Sequence, residues 1–412
     1  MDRVKLGDYI HVKHGWAFKG EHFVDAGSHI VLTPANFFEE GGFKETPGKE
    51  KYYNADFPSE YLCRKGDLIV VMTQQAEGLL GATARVPTDN TYLHNQRIGL
   101  ITAIRDDIDL TFVDYLMRTP WVRFQLERTA SGSKVRHTSP EKIEDVDVCL
   151  PQYEDQIRIG SILSAIDNKI ANNKKLMAEL ESTARLIYDY WFTQFDFPDE
   201  NGKPYRSSGG KMVYNDTLHR EIPIDWGAGV LSDLLDITMG QSPAGDSYNE
   251  KGFGEVFYQG RVDFGDYYPT KRMYTTSPSR FAETDDVLLS VRAPVGDVNW
   301  AFEDCCIGRG LAALRDKCGS PFFASFLVTS FSSVFGRMNG SGTTFGAIDK
   351  QGLTQLQLPL PPKEIVGRYA ETAEQLYREF RIAETEQREL EKLRDWLLPM
   401  LMNGQVVAGE QR

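Results

Sequence analysis

No apolar run in these 412 residues is long enough to span a bilayer. The opening residues, Met1-Asp2-Arg3-Val4-Lys5, hold no apolar signal core. Cysteine is scarce: Cys63, Cys149, Cys305, Cys306 and Cys318 are odd in number and irregular in spacing. That suits a reducing compartment rather than a disulfide framework. The expectation is a cytoplasmic protein with no membrane contact. Catalytic signatures are missing as well. Gly48-Lys49, Gly202-Lys203 and Gly210-Lys211 lack the following Ser or Thr and the upstream glycine spacing of a phosphate-binding P-loop. Gly252-Phe253-Gly254 is short, and no amino-methyltransferase motif of the Asn-Pro-Pro-Tyr type follows it. There is no Glu-x-Lys triplet, the commonest nuclease arrangement of carboxylate and lysine. His11, His14 and His22 beside Cys63 lack the matched spacing of a metal site, and so do Cys305-Cys306 with Cys318. Buried thiols are the simpler reading of those cysteines. No catalytic residue, resident cofactor or metal is expected.

Positive charge is also in deficit, with 46 Lys and Arg against 59 Asp and Glu, a net charge of −13. This argues against a protein that coats nucleic acid with its whole surface. Local basic faces, or charge borrowed from a partner, remain open routes to a phosphate backbone. The length suggests two or three domains, each able to bury its own core.

What the chain does have is a repeat. Helix-patterned stretches run from Leu150 to Gln194 and from Leu360 to Gln405, and Ile166, Leu180 and Ile187 match Leu376, Leu390 and Leu397 at one offset. The match extends upstream. Leu6, Asp8, Gly15 and Gly20 correspond to Leu231, Asp233, Gly240 and Gly245; Asp67-Leu68-Ile69-Val70 to Asp286-Val287-Leu288-Leu289; Arg97 to Arg309. Ser131-Gly132-Ser133 corresponds to Ser341-Gly342-Thr343, and Leu150-Pro151 to Leu360-Pro361. The offset shrinks along the unit, so the first copy carries extra loop residues.

Each copy reads as mixed α and β, an α+β chain overall. Asp67–Thr73 and Asp286–Arg292 have strand character. Thr111–Thr129 is helical with a break at Pro120, and Pro321–Met338 is its counterpart. Within the long stretches Ile159, Ile162, Ile166, Asn173, Leu176, Leu180 and Ile187 follow three- and four-residue steps, with one step skipped at Lys169. Tyr369, Leu376, Ala383, Leu390, Leu393 and Leu397 do so less cleanly. This is the a/d spacing of a coiled-coil seam, and the two helices are expected to pair. The expected division is residues 1–150, a first helix 151–195, a linker 196–225 rich in turn residues and flexible at Ser207-Ser208-Gly209-Gly210, a second unit 226–360, a second helix 361–405 and a tail 406–412.

Polar and basic loops carry the positive case. Ser131, Ser133, Lys134 and Arg136 put hydroxyls and cations into one short segment suited to phosphate oxygens. Ser341, Thr343 and Thr344 occupy the same place in the second copy without the cations. Arg97 beside Asn95 and Gln96 has the chemistry of base reading, since Arg suits guanine and Asn or Gln suits adenine. Gln74, with Gln75, and Gln259, Arg261, Arg292 and Arg309 are further candidates.

The segment after the first helix is distinctive: Asp189-Tyr190-Trp191-Phe192-Thr193-Gln194-Phe195-Asp196-Phe197-Pro198, then Gly202-Lys203-Pro204-Tyr205, Ser207-Ser208-Gly209-Gly210-Lys211-Met212 and Glu221-Ile222-Pro223-x-x-Trp226. It closely resembles the region between the two recognition domains of type I restriction-modification specificity subunits. Leu393-Arg394-Asp395-Trp396-Leu397-Leu398-Pro399-Met400-Leu401-Met402-Asn403-Gly404-Gln405 is similar to that family's C-terminal helix, and Val287–Gly296 to its recognition-domain core. The resemblance implies two target recognition domains in pseudo-twofold repeat, separated by two long helices in an antiparallel coiled coil. Each domain would read half of a bipartite, asymmetric site on double-stranded DNA. It implies a non-catalytic subunit that assembles with two methylation subunits, which bind S-adenosylmethionine, and with restriction subunits that use ATP and Mg. The alternatives are a coiled-coil protein adaptor and an orphan or anti-restriction relative without sequence-specific DNA binding. One departure stands out. Glu154-Asp155-Gln156 keeps the family's Glu-x-Gln start of the helix, whereas Glu364-Ile365-Val366-Gly367 has Val for Gln and an early Gly, so the second helix is expected to start late or fray.

Overall fold

In Leu68-Ile69-Val70-Val71 every side chain is buried, as a strand covered on both faces requires. The computed structural model describes residues 3–74, 78–132, 135–292, 294–340 and 346–405. It divides into two units, Met1–Asn172 with Gln387–Arg412, and Asn173–Glu386. Each unit therefore contains one globular copy, the N-terminal part of the helix that follows it and the C-terminal part of the other long helix.

In the first unit an antiparallel sheet has the order Ile10–His14, Ile98–Ala103, Leu68–Val71, Thr83–Arg85. Leu68 and Val70 face Phe112, Val113, Leu116, Val122 and Leu126 of helices Leu110–Arg118 and Pro120–Thr129. Asp109 caps the first helix, its carboxylate accepting from the Phe112 N–H, and Thr119 with Pro120 starts the second. Ile69 and Val71 face the other way, toward Leu32, Phe37 and Val86. Arg3–Lys5 pairs with Asp147–Cys149.

The second unit repeats this order: Leu235–Met239, Leu311–Asp316, Val287–Val291, Val295–Trp300, with Gly227–Val230 paired to Gln357–Leu360. Helix Pro321–Thr329 is capped by Ser320 and followed by Ser332–Gly340. The loop-like link from Phe195 to Trp226 is packed into this unit. Phe195, Phe197 and Trp226 are buried in its core, with Phe197 stacked on Trp226 at 5.5 Å. Asp196 accepts from both the N–H and the hydroxyl of Ser207. Residues Met212–Asn215 and Arg220–Pro223 form a hairpin. Turn composition identified the bends here, and the aromatic residues between them supply the order.

The long helices span Tyr153–Tyr188 and Lys363–Met402. In the first unit Asp167 accepts from Arg394 at 3.1 Å; in the second the Asn173 amide donates to the Ala383 carbonyl and the Tyr369 hydroxyl to the Ala184 carbonyl. Rising numbers on one helix meet falling numbers on the other, so the pairing is antiparallel.

The seam is not quite where the spacing put it. Ile162, Leu176 and Leu393 are 38%, 41% and 42% exposed, while Ile159 and Asn173 of the same pattern are buried, and so are Leu163, Ile170, Met177 and Ala184 outside it. Two heptads run side by side on the first helix, and Leu163-Ile170-Met177-Ala184 points inward; the step skipped at Lys169 was the sign of the wrong row. Ile166, Leu180, Ile187, Leu376, Leu390 and Leu397 are partly buried. On the second helix Tyr377 and Phe380 turn toward their own unit's core. The second helix also does not start late: Tyr153 and Lys363 are equivalent first residues. Gln156 is buried and bonds Asp109, Asp107 and Pro151, whereas Val366 simply packs into an apolar core.

Candidate nucleic-acid interface

Most of the polar candidates converge on one end of each sheet. In the first unit a ladder of backbone bonds crosses four chain segments. Gln96 N–H donates to the Trp16 carbonyl (3.0 Å), Met72 N–H to Arg97 (2.9 Å), Thr138 N–H to Met72 (2.9 Å) and Ser131 N–H to His137 (2.9 Å). Arg136–His137 pairs with Thr73–Gln74. Asn95, Gln96, Arg97, Ser131 and Arg136 thus share one sheet end. Gly15 allows it: a Cβ there would lie 2.1 Å from the Asn95 carbonyl oxygen. His94 sits beneath this loop, buried, and donates from Nε2 to the Ile98 carbonyl at 2.8 Å. Burial pushes its pKa down to about 4, so the ring is neutral.

Gln96 and Arg97 are exposed, and among the described residues the Arg97 guanidinium has no ion-pair or hydrogen-bond partner. Asn95 instead shapes the turn, its side-chain carbonyl accepting from the Arg97 N–H. Two candidates are corrected. Gln74 is buried and accepts from the Leu80 N–H, so it holds its own loop. Arg136 is half-buried and donates to the Glu127 carbonyl. Ser133, Lys134, Ser341, Thr343 and Thr344 lie outside the described residues.

The second unit has the same construction. Gln241 N–H donates to Ile307 (3.0 Å), Val291 N–H to Gly310 (2.9 Å) and Ile348 N–H to Val291 (3.1 Å). A Cβ on Gly240 would lie 2.2 Å from the Gly308 oxygen, as for Gly15. Gln259, Arg292 and Arg309 gather here, all exposed, and among the described residues neither Arg292 nor Arg309 has a side-chain partner. Arg261 is committed to Asp297 at 2.5 Å.

The register changes one correspondence. Ile98 N–H bonds the Asn95 carbonyl as Leu311 N–H bonds Gly308, so Arg309 occupies the place of Gln96, and Gly310 that of Arg97. No side chain fits at Gly310, where a Cβ would meet the Gln259 oxygen at 2.6 Å. Trp16 and Gln241 stand at matching places beside these loops, and the Gly15–Gly240 match in the sequence is the signal that points to them. Among the described residues no three His, Cys, Asp or Glu side chains are grouped to hold a metal, and no helix is long and apolar enough to cross a membrane.

The model of the type I restriction modification DNA specificity domain matches residues 1–182 and again 223–392. This chain belongs to the type I restriction-modification DNA specificity family. Each match takes in a globular copy and much of the helix after it. The chain is 31% identical over 321 residues to the putative type I restriction enzyme MjaX specificity subunit of Methanocaldococcus jannaschii, covering 76% of this chain and 72% of the relative. The MjaIX specificity subunit of the same organism is 23% identical over 326 residues, 74% and 71% of the two chains. The crystal structure of a type I restriction-modification S subunit from M. genitalium superposes with a TM-score of 0.62 over 97% of this chain and 96% of that one, at 15% identity, and supports the fold alone. Specificity subunits recognise and do not catalyse, and the family carries no catalytic cofactor.

Proposed function

We propose that this chain is the DNA sequence-specificity subunit of a type I restriction-modification enzyme, and that it binds a bipartite, asymmetric site on double-stranded DNA. Residues 1–150 and 226–360 are the two readers, each taking one half. Residues 151–195 and 361–405 are the spacer helices, joined by 196–225. The subunit positions two methylation subunits, which carry S-adenosylmethionine, and restriction subunits that use ATP and Mg.

One observation carries this reading: two sheets of identical order present different exposed polar residues at the same end. A shared scaffold with divergent edges is what two readers of different sequences need. The net charge of −13 fits a reader that borrows positive charge from its partners. The test is a gel shift against a randomised duplex pool, with and without a methylation subunit. Selection of one two-part sequence, much tighter with the partner, is expected. Binding without sequence preference in both arms would reject the proposal.

A further inference from the structure

Neither unit's choice of bases can be taken from the family, but the corrected register makes the two edges directly comparable. At three structurally equivalent places the first unit has Thr73, Gln96 and Arg97 and the second has Arg292, Arg309 and Gly310; Thr73 is buried against His137, so the first edge presents Gln96 and Arg97 and the second presents Arg292 and Arg309. Arg292 directly follows strand Val287–Val291, and Arg309 sits in the turn that leads into its partner strand Leu311–Asp316; the Val291 N–H bonds the Gly310 carbonyl, so the two arginines flank the adjoining ends of neighbouring strands. Strands in a sheet lie about 4.8 Å apart, and stacked bases about 3.4 Å apart. Two long side chains on that spacing can address adjacent or next-adjacent base pairs.

The setting of Arg309 is rigid. Gly308 and Gly310 flank it, both pressed against the backbone of Gln259, and the Gly308 N–H bonds the Tyr258 carbonyl. The loop is therefore fixed, and neither neighbour has a side chain to keep a base edge away. Among the described residues no carboxylate claims either guanidinium, unlike Arg261, which Asp297 holds. An unpaired guanidinium fork matches guanine O6 and N7, whereas a glutamine amide matches adenine.

We infer that Arg292 and Arg309 each read a guanine, two guanidinium forks against the single fork of Arg97 beside Gln96 in the first unit, so that the half-site taken by the second unit is richer in G·C pairs than the half-site taken by the first. This rests on the reading of the sheet ends as DNA-reading edges.

The experiment maps methylated adenines in a methylation-free host that expresses the full chain with its methylation subunit. Arg309→Gln and Arg292→Gln should each change one half of the motif, the G·C-richer half, and leave the other half and the unread spacer unchanged. Arg309→Lys is the sharper variant, because lysine keeps the charge a phosphate needs and loses the fork a guanine needs. It should relax one G·C position by about tenfold or more in competition binding of the assembled complex, with the remaining positions intact. The inference falls if the altered half is the A·T-richer one. It falls equally if Arg309→Lys keeps every base preference and only weakens binding, which would mark a phosphate contact. If the variants leave the motif untouched, or no two-part motif is methylated, the reading of the sheet ends has itself failed.

Discussion

The two units grip the long helices by different chemistry. In the first, the grip centres on Asp167, which accepts from the Tyr115 hydroxyl at 2.8 Å, from Arg118 at 2.9 Å and from Arg394 at 3.1 Å. Arg118 is also paired to Asp114. In the second, the grip is aromatic. Phe380 packs 5.5 Å from Trp300 and 5.6 Å from Phe322, Tyr377 lies 5.2 Å from Phe322, and Tyr188 is edge-on to Tyr369. Arg381, paired with Asp285, is an ionic element there, set over the Phe302 ring. A common topology thus leaves the chemistry of its helix contacts free, provided shape and hydrogen bonding are satisfied.

The largest effects should come from breaking each grip. Phe380→Ala removes a fully buried ring and should cost about 3–5 kcal/mol. Asp167→Ala leaves two largely buried guanidinium groups short of a partner and should cost about 3 kcal/mol, at the lower end for a broken buried pair because Asp167 is partly exposed. Hydrogen exchange should place each loss in its own unit. Phe380→Ala should open the strands around Val287–Val291 and spare Leu68–Val71, and Asp167→Ala should do the reverse. Equal loss of protection in both would mean the units are not separately held.

Acid should separate the units next. His94 has a folded pKa of about 4 because burial disfavours its charge, against 6.5 for the free group. The unfolded chain takes up the proton first as pH falls, so this contribution is complete above about pH 6.5 and is lost toward pH 4. The loss by pH 4.5 should be about 2–3 kcal/mol, confined to the first unit. His94→Gln cannot titrate, and its stability should be flatter across that window. An unchanged slope in the variant would remove His94 from the explanation.

Much of this architecture was legible in the sequence. The repeat, the strand cores at Asp67 and Asp286, and the helix break at Pro120 all follow from local pattern, and the structure contains them. The gathering of Arg97, Ser131, Gln259, Arg292 and Arg309 at sheet ends required strand order, which connects segments far apart in the chain and leaves no local periodicity. Alignment by residue type paired Arg97 with Arg309, because like residues attract a match. The backbone register shifted it by one, since Gly310 sits where no side chain fits. Gln74 looked like a free amide because nothing in the sequence shows that the Leu80 N–H needs its oxygen. The stretch from Phe195 to Trp226 reads as loop because turn residues dominate it by number, although Phe195, Phe197 and Trp226 are buried in the second unit's core.

The smallest effect tests the displaced seam, where neighbouring residues have opposite surroundings. Ile162 and Leu163 are adjacent on the first helix, similar in size and apolarity, and the small helix-propensity advantage of leucine does not say which of them is buried. Leu163 is fully buried in the first unit's core beside Ile159, Leu401 and Met402, whereas Ile162 is 38% exposed. Leu163→Ala should therefore cost about 2–5 kcal/mol, as deletion of a packed side chain does. Ile162→Ala should change stability by no more than about 0.5 kcal/mol, because alanine's better helix propensity offsets much of the little apolar contact that is lost. Urea unfolding of the two variants under identical conditions measures both. Similar midpoints for the two, or a larger loss at Ile162, would return the seam to the Ile162-Leu176 row and with it the other rotation of the helix.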